Sequence, residues 1–436
     1  LPEIQPFAGI RYNPDRISDF SRVVAPPYDV IDPSYHSELL DRDPLNVVRL
    51  ILGSSPGLPG DYNLSAALMA QWLEDDILIR DPEPRYYIIQ DTYRLIGNEE
   101  PALRWGIIGR VRLEPFESGR IFPHERTHSR PKEDRLRLMR AFGGNLSQVL
   151  ALFDGDATCV RDMIDPVFTC VPAVDLIDSE GIGRQLWVVE DRDIIQGVSD
   201  LLAGRNLYIA DGHHRYETAL TYSREKIAAD PSPSPDKGYN FVMMALVGMK
   251  DPGLTIFPIH RLFSGLDNFQ FDSVIARLEK TFSIEPLPFN RSGLMLSGPT
   301  QSNLGGRGFV LYDPSEGRFF KALLREGVDL ALRMPGISAP VRRLEVTLVE
   351  KFLMMECLGM KEDQISRQEH LEYFQDLESA TAKADEYGQL LVIMPPTSLD
   401  DLVDVTGGRE RMPQKSTFFF PKLLSGLVFY SHGHSI

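Results

Sequence analysis

The stretch YIADGHHRYETAL, residues 208–220, places two histidines and an arginine directly behind a glycine. The apolar run NLYIA reads as a strand ending at Asp211. Gly212 permits a sharp backbone turn, and HRYETALTYSREK continues as a helix. A strand, a glycine turn and a helix start make backbone N–H groups converge, which is an anion-binding arrangement. His214 and Arg215 add side-chain donors in the first turn, and an arginine fork matches phosphate oxygens. Asp211 is placed to orient a histidine, hold a magnesium ion or act as a base. The competing reading is packing: Asp211 caps the helix, a carbonyl satisfies His213, and Arg215 is solvated. Zinc is disfavoured, because adjacent histidines on a helix diverge and no third ligand stands at motif spacing.

A second constellation is FPHERTHSRPKEDR, residues 122–135, which holds His124, Glu125, Arg126, His128, Lys132 and Arg135. His124, Glu125 and His128 match the literal HExxH pattern, but prolines crowd it on both sides and no downstream zinc ligand is evident. A loop offering Glu125 as a general base, with basic groups for phosphate, is the more attractive reading. The alternative is a solvated charged loop. In APPYDV, residues 25–30, consecutive prolines stiffen a turn that either presents Tyr28 and Asp29 to a ligand or simply defines the fold. PIHRL at 258–262 sets a His-Arg pair at a strand end. MPQKSTFFFPK at 412–422 offers Lys415 to an anion and Phe418 to Phe420 to a core, and no glycine-rich run makes its Lys-Ser pair a P-loop.

The elements that must position these groups alternate between strand and helix. RYYIIQDTYRL, RWGIIGRVRLE, the end of NLSQVLALF, LWVVE and YNFVMMALVGM read as strands, the last a central one. NVVRLILG also reads as a short buried strand. SAALMAQWLEDDIL and a segment beginning near Pro131 read as helices. Residues 270–340 look like a peripheral α/β segment, 341–360 a helix, and QLLVIMPP near 390 a strand. Strand spacing is irregular, so the expected class is α+β with a mixed-sheet core rather than a Rossmann sheet.

With 436 residues and 43% hydrophobic composition, the chain has ample material for two domains. The expected division is a core at 1–269 and a C-terminal α/β region at 270–436 that folds back. The formal net charge of −16 argues against a nucleic-acid partner. Three cysteines, Cys159, Cys170 and Cys357, without zinc spacing fit a reducing compartment. The opening residues LPEIQPFAGIRY contain no signal-peptide h-region, and the apolar run at 241–249 is too short to span a bilayer. The expectation is a cytoplasmic protein that takes a small-molecule substrate and needs no membrane. Homo-oligomers are compatible with this reading.

The sequence resembles the family of the domain of unknown function 1015 over nearly its whole length. The resemblance rests on VVAPPYDVI at 23–31, NVVRL at 46–50, the PHERT loop with KEDRL, ADGHHRYETAL at 210–220, and MPQKSTFFFPKLLSGL at 412–427. GHHRYETA is in turn similar to the phosphate-binding turn of the ParB and sulfiredoxin fold superfamily. That likeness implies a ParB/sulfiredoxin-like nucleotide-binding unit in which Gly212, His214 and Arg215 hold phosphates. His213 would stand where sulfiredoxin has its reactive cysteine, so sulfiredoxin activity is not expected. Free serine kinases of the superfamily suggest phosphoryl transfer from ATP or ADP, with CTP as another candidate, to a small hydroxyl metabolite such as serine. In that reading Glu125 is the base, Asp29 its reserve, Asp211 a Mg2+ ligand, Lys132 and His124 assist the nucleotide, and Tyr28 and Arg126 line the acceptor pocket. The rival expectations are a non-catalytic nucleotide or metabolite sensor and a ParB-like nuclease.

Overall fold

In a computed structural model of the chain, the described residues are 2–58, 60–95, 100–125, 129–287 and 304–433. They form two compact units. The first comprises Leu1–Pro123, Thr127–Thr255 and Pro421–Ile436; the second comprises His124–Arg126 and Ile256–Phe420. The division therefore falls after Thr255 rather than after 269, and the last residues rejoin the first unit.

The first unit is built on a mixed sheet, nine-stranded among the described residues. Its strands are β1 (Ile4–Gln5), β2 (Tyr87–Tyr93), β3 (Ala102–Arg112), β4 (Ile121–Pro123), β5 (Val149–Phe153), β6 (Val174–Ile177), β7 (Gly183–Val188), β8 (Leu207–Asp211) and β9 (Phe241–Gly248). Their order is β4-β8-β5-β9-β3-β2-β7-β6, with β1 beside β3. The β4–β8 and β5–β9 pairs are parallel, and the other pairings are antiparallel. All eight residues of β9 are buried, as its unbroken apolar run requires of a central strand.

Helices close this unit. We label α1 (Val48–Ile51), α2 (Tyr62–Glu74), α3 (Ser129–Phe142) and α4 (His213–Ala229). Leu136 and Met139 of α3 share one core with Tyr216, Ala219 and Tyr222 of α4 and with the sheet residues Ile107, Val149 and Leu246. The NVVRL segment, expected as a strand, is the helical turn α1. Asn46 is fully buried; its side-chain oxygen accepts from Val48 N–H at 2.9 Å, and its amide donates to the carbonyls of Arg22 and Val24. Those bonds hold the chain at the start of a turn whose apolar residues are enclosed, and a short apolar run has no period to separate helix from strand.

The second unit carries an antiparallel sheet, six-stranded among the described residues. Its strands are β10 (His260–Phe263), β11 (Phe282–Pro286), β12 (Gly308–Asp313), β13 (Arg318–Leu324), β14 (Leu371–Phe374) and β15 (Leu390–Ile393), in the order β11-β13-β12-β15-β10-β14. Leu262, Val310, Tyr312, Leu391 and Ile393 pack with Ala380 and Ala384 of a covering helix. The helix expected over 341–360 is broken into two short helical turns followed by a π-helix, Val349–Cys357. The class is α+β, as the irregular strand spacing implies.

Candidate functional site

Strand β8 delivers Asp211 to the turn, and Gly212 adopts φ 91°, ψ 27°. This left-handed conformation suits a residue without a Cβ. α4 then runs for 17 residues from His213, with Gly212, which has no side chain, at its N-cap. A helix start leaves its first N–H groups without partners inside the helix, and it carries the positive end of the helix dipole.

Below the turn lies a charge cluster. Both oxygens of Asp211 receive cations: Arg215 Nη2 donates to Oδ2 and Lys422 Nζ to Oδ1. Arg215 Nη1 donates to the Gln148 carbonyl, and Gln148 in turn donates to the Leu424 carbonyl at 3.1 Å. Among the described residues, Arg215 Nε has no hydrogen-bond partner. A Cβ added to Gly212 would stand 2.8 Å from that Nε, so glycine is what lets the guanidinium fold under the turn. Burial alone would raise the Asp211 pKa, but Lys422 and Arg215 outweigh it and hold the carboxyl well below the usual carboxylate range.

Lys422 reaches Asp211 because the C-terminal segment recrosses the first unit. Ala25 and Ser425 exchange backbone hydrogen bonds at 3.2 and 2.8 Å, and Phe429 pairs with Ile10. The same pairing anchors the APPYDV turn. Tyr28 sits in a short 3-10 turn, Tyr28–Val30, with the Arg135 guanidinium 4.1 Å from its ring centroid. Burial first, and then the charge of Asp29, pushes the Tyr28 phenol up to about 12; Arg135, Arg215 and Asp211 also act on it. Tyr28 therefore lies within electrostatic reach of the Asp211 cluster, and the neighbouring Asp29 is exposed.

The remaining candidates have other surroundings. Lys132, on α3, forms an ion pair with Glu217 of α4. His213 is buried and its charge acts on Asp211, while His214 is half-buried. His124 and Glu125 belong to the second unit. There His124 is fully buried, its Nε2 lies 2.7 Å from the Thr417 hydroxyl, and its ring meets Phe419 edge-on. Glu125 Oε1 accepts the Lys415 backbone N–H at 2.6 Å. Arg126 and His128 fall outside the described residues.

The donor set at Asp211 does not fit the expected magnesium. A metal ion would have to displace Lys422 or Arg215 from a carboxylate that already carries both. Among the described residues, no group of three or more His, Cys, Asp or Glu side chains is placed to share one metal. No helix is long and apolar enough to cross a membrane among those residues.

A family model described as "Protein of unknown function (DUF1015)" matches residues 4–347. The chain belongs to the DUF1015 family. No curated protein matches it. Among solved structures, this DUF1015 chain is similar to a mutant free serine kinase in complex with ADP, at 12% identity and a TM-score of 0.34, covering 69% of this chain and 84% of that one. It is also similar to C-terminally truncated SbnI from Staphylococcus aureus, at 10% identity and a TM-score of 0.36, covering 73% and 85%. A third similar structure, at 12% identity and a TM-score of 0.33, is a conserved hypothetical protein from Pyrococcus furiosus; the coverages are 70% and 89%.

Sequence reasoning missed the site roles of Lys422 and Gln148 in this DUF1015 chain, and it named Arg135 without giving it a part in the site. Lys422 was visible in the FFFPKLLSGL run, but nothing local pairs it with a residue 211 positions earlier. Arg135 stood inside the charged KEDRL segment. Its burial beneath Tyr28 follows from α3 packing, with Nη1 donating to the Ile51 carbonyl and Nη2 to the Tyr62 hydroxyl.

Proposed function

We propose that the turn after Asp211 binds the phosphates of a nucleotide, and that the protein transfers a phosphoryl group to the hydroxyl of a small polar metabolite, serine being the leading acceptor. The observation that supports this reading is the start of α4 behind a left-handed glycine, braced by a buried Asp211–Arg215–Lys422 cluster. Such a start offers preorganised N–H donors, and phosphoryl transfer depends mainly on positioning and neutralising charge. His214 is the side-chain donor of the first turn. Arg215 and Lys422 hold Asp211, and through it the turn, in place. This role differs from direct phosphate grip by Arg215, whose two terminal nitrogens are already engaged.

Asp29 is the proposed base that orients the acceptor hydroxyl, with Tyr28 beside it lining the acceptor pocket. Glu125 gives one oxygen to the Lys415 amide. Lys132, paired with Glu217, stabilises the α3–α4 contact.

Calorimetric titration with ATP, ADP, CTP and pyrophosphate tests the binding site. His214→Ala should weaken binding by roughly 10-fold, the scale of one lost charged hydrogen bond. Absence of binding by the wild type would remove the nucleotide reading. A coupled assay with serine and related hydroxy compounds tests the chemistry: Asp29→Asn should lose most turnover and keep nucleotide affinity. A second reading, a nucleotide sensor without turnover, is favoured by the engagement of both Asp211 oxygens, which leaves that carboxylate no role as a base. Tight binding with no phosphorylated acceptor would select it.

A further inference from the structure

A cavity of about 340 Å³, a size that suits a small metabolite, opens within the second unit. Its walls draw on the loop and helix after β10, on the end of the π-helix, and on His370 just before β14. The loop is ordered by bonds of its own. Gln389 clasps the Leu266 peptide groups: its Oε1 accepts from the N–H at 2.7 Å, and its Nε2 donates to the carbonyl at 3.0 Å. Asn268 and His370 are held at φ 52° and 60°, in the left-handed region. Strain of this kind persists where the surroundings over-determine the backbone, which is common at ligand sites. The charged groups on the wall are only partly engaged. Arg277 Nη1 donates to the Cys357 carbonyl at 2.8 Å, while among the described residues its Nε–Nη2 edge makes no hydrogen bond. Two parallel N–H groups on one edge match the two oxygens of a carboxylate. Asp267 lines the same cavity and, among the described residues, makes no ion pair. Both side chains are exposed, so a ligand reaches them without rearrangement. His370 Nδ1 lies 3.2 Å from the Ser264 carbonyl. A carbonyl only accepts, so Nδ1 carries the proton and the neutral ring keeps Nε2 as an acceptor. Val274 and Met360, both buried, add apolar wall. A dianionic phosphate here would meet one cation and the repulsion of Asp267, whereas a zwitterion is matched at both ends.

We propose that this cavity binds a free amino acid. Arg277 grips the α-carboxylate, Asp267 pairs with the ammonium group, His370 Nε2 is a second acceptor for it, and the side chain lies against Val274 and Met360. All of these residues belong to the second unit, and the site does not rest on the nucleotide reading above. A ligand that ties together three segments distant in sequence stabilises the unit that holds it.

Calorimetric titration and thermal melts of the full chain with the standard free amino acids, their methyl esters, the matching α-hydroxy acids and inorganic phosphate test the assignment. At least one amino acid should bind and raise the melting temperature. Its methyl ester should bind roughly 10-fold or more weakly, the scale of a lost charge-assisted hydrogen bond. Arg277→Gln, which keeps a donor for the Cys357 carbonyl, should cost a similar factor, and Arg277→Lys should not restore binding because lysine has no fork. Asp267→Asn should weaken the amino acid and leave the α-hydroxy acid unaffected. Because both side chains are exposed, the unliganded variants should melt with the wild type. No binding of any amino acid by the wild type, or unchanged affinity in Arg277→Gln, would overturn the proposal. Serine held only at the acceptor site proposed above would show that second pattern, which removes this site and spares that one. Phosphate bound in preference to amino acids, and lost in Arg277→Gln, would overturn the ligand class.

Discussion

Replacing Lys422 by methionine removes one of two cations from a carboxylate that is nearly enclosed. The Asp211 side chain is 16% exposed and that of Lys422 17%. Breaking a buried ion pair by deleting one partner typically costs about 3–5 kcal/mol, because the other charge is left uncompensated. Here Arg215 stays on Oδ2 and some solvent reaches the group, so the expected loss is about 2–3 kcal/mol. For a unit of this size that is a fall of roughly 5–10 °C in its melting transition. The pH dependence carries a sign. The folded Asp211 pKa is depressed, so its contribution is present above the unfolded value of about 3.9 and disappears as pH falls through the folded value. Without Lys422 the folded value moves back up, and acid unfolding of Lys422→Met should begin at higher pH than in wild type. A double-mutant cycle with Asp211→Asn separates the ionic contribution from the packing of the lysine stem; the coupling should be about 2 kcal/mol. Urea melts of the four proteins at pH 7, with acid titrations followed by fluorescence, supply the numbers. A coupling energy near zero, with unchanged acid midpoints, would refute the account of the cluster.

Two further outcomes follow from the same physics. Gly212→Ala puts a Cβ 2.8 Å from Arg215 Nε at φ 91°, so it should destabilise by about 2–3 kcal/mol and weaken nucleotide binding, as chemical melts and calorimetry would show. Burial pushes the Asp251 carboxyl up to about 6, although its Oδ1 accepts the Gly253 N–H at 2.8 Å, and Oδ2 has no partner among the described residues. Its folded pKa is above the unfolded one, so stability is full below about pH 4 and declines as pH rises through about 6. Asp251→Asn should therefore be more stable than wild type by about 2 kcal/mol at pH 8 and equal to it at pH 4; equal melting temperatures at pH 8 would contradict the burial argument.

Elements whose signals are local can be read directly from the amino-acid order. The alternation in RYYIIQDTYRL and the unbroken run in YNFVMMALVGM specify strands because side-chain period and burial are written in adjacent residues. The NLYIA–Gly212–helix unit was legible for the same reason, since an apolar strand, a glycine and a helix-forming run each act within a few residues. NVVRL failed because its apolar run has no period, and the choice of helix was made by Asn46 bonding to carbonyls more than 20 residues away. Tertiary structure alone decided what the candidate side chains do. Arg215 and Asp211 are four residues apart and looked like two independent ligands. The C-terminal segment brings Lys422 onto Asp211, which turns the pair into a buried brace. Glu125 looked like a free base in a charged loop until residues 412–417 laid the Lys415 amide on its carboxylate. A charged side chain's role depends on which charges and dipoles reach it through space. Contacts spanning some 200 to 300 residues leave no local pattern from which that field can be read.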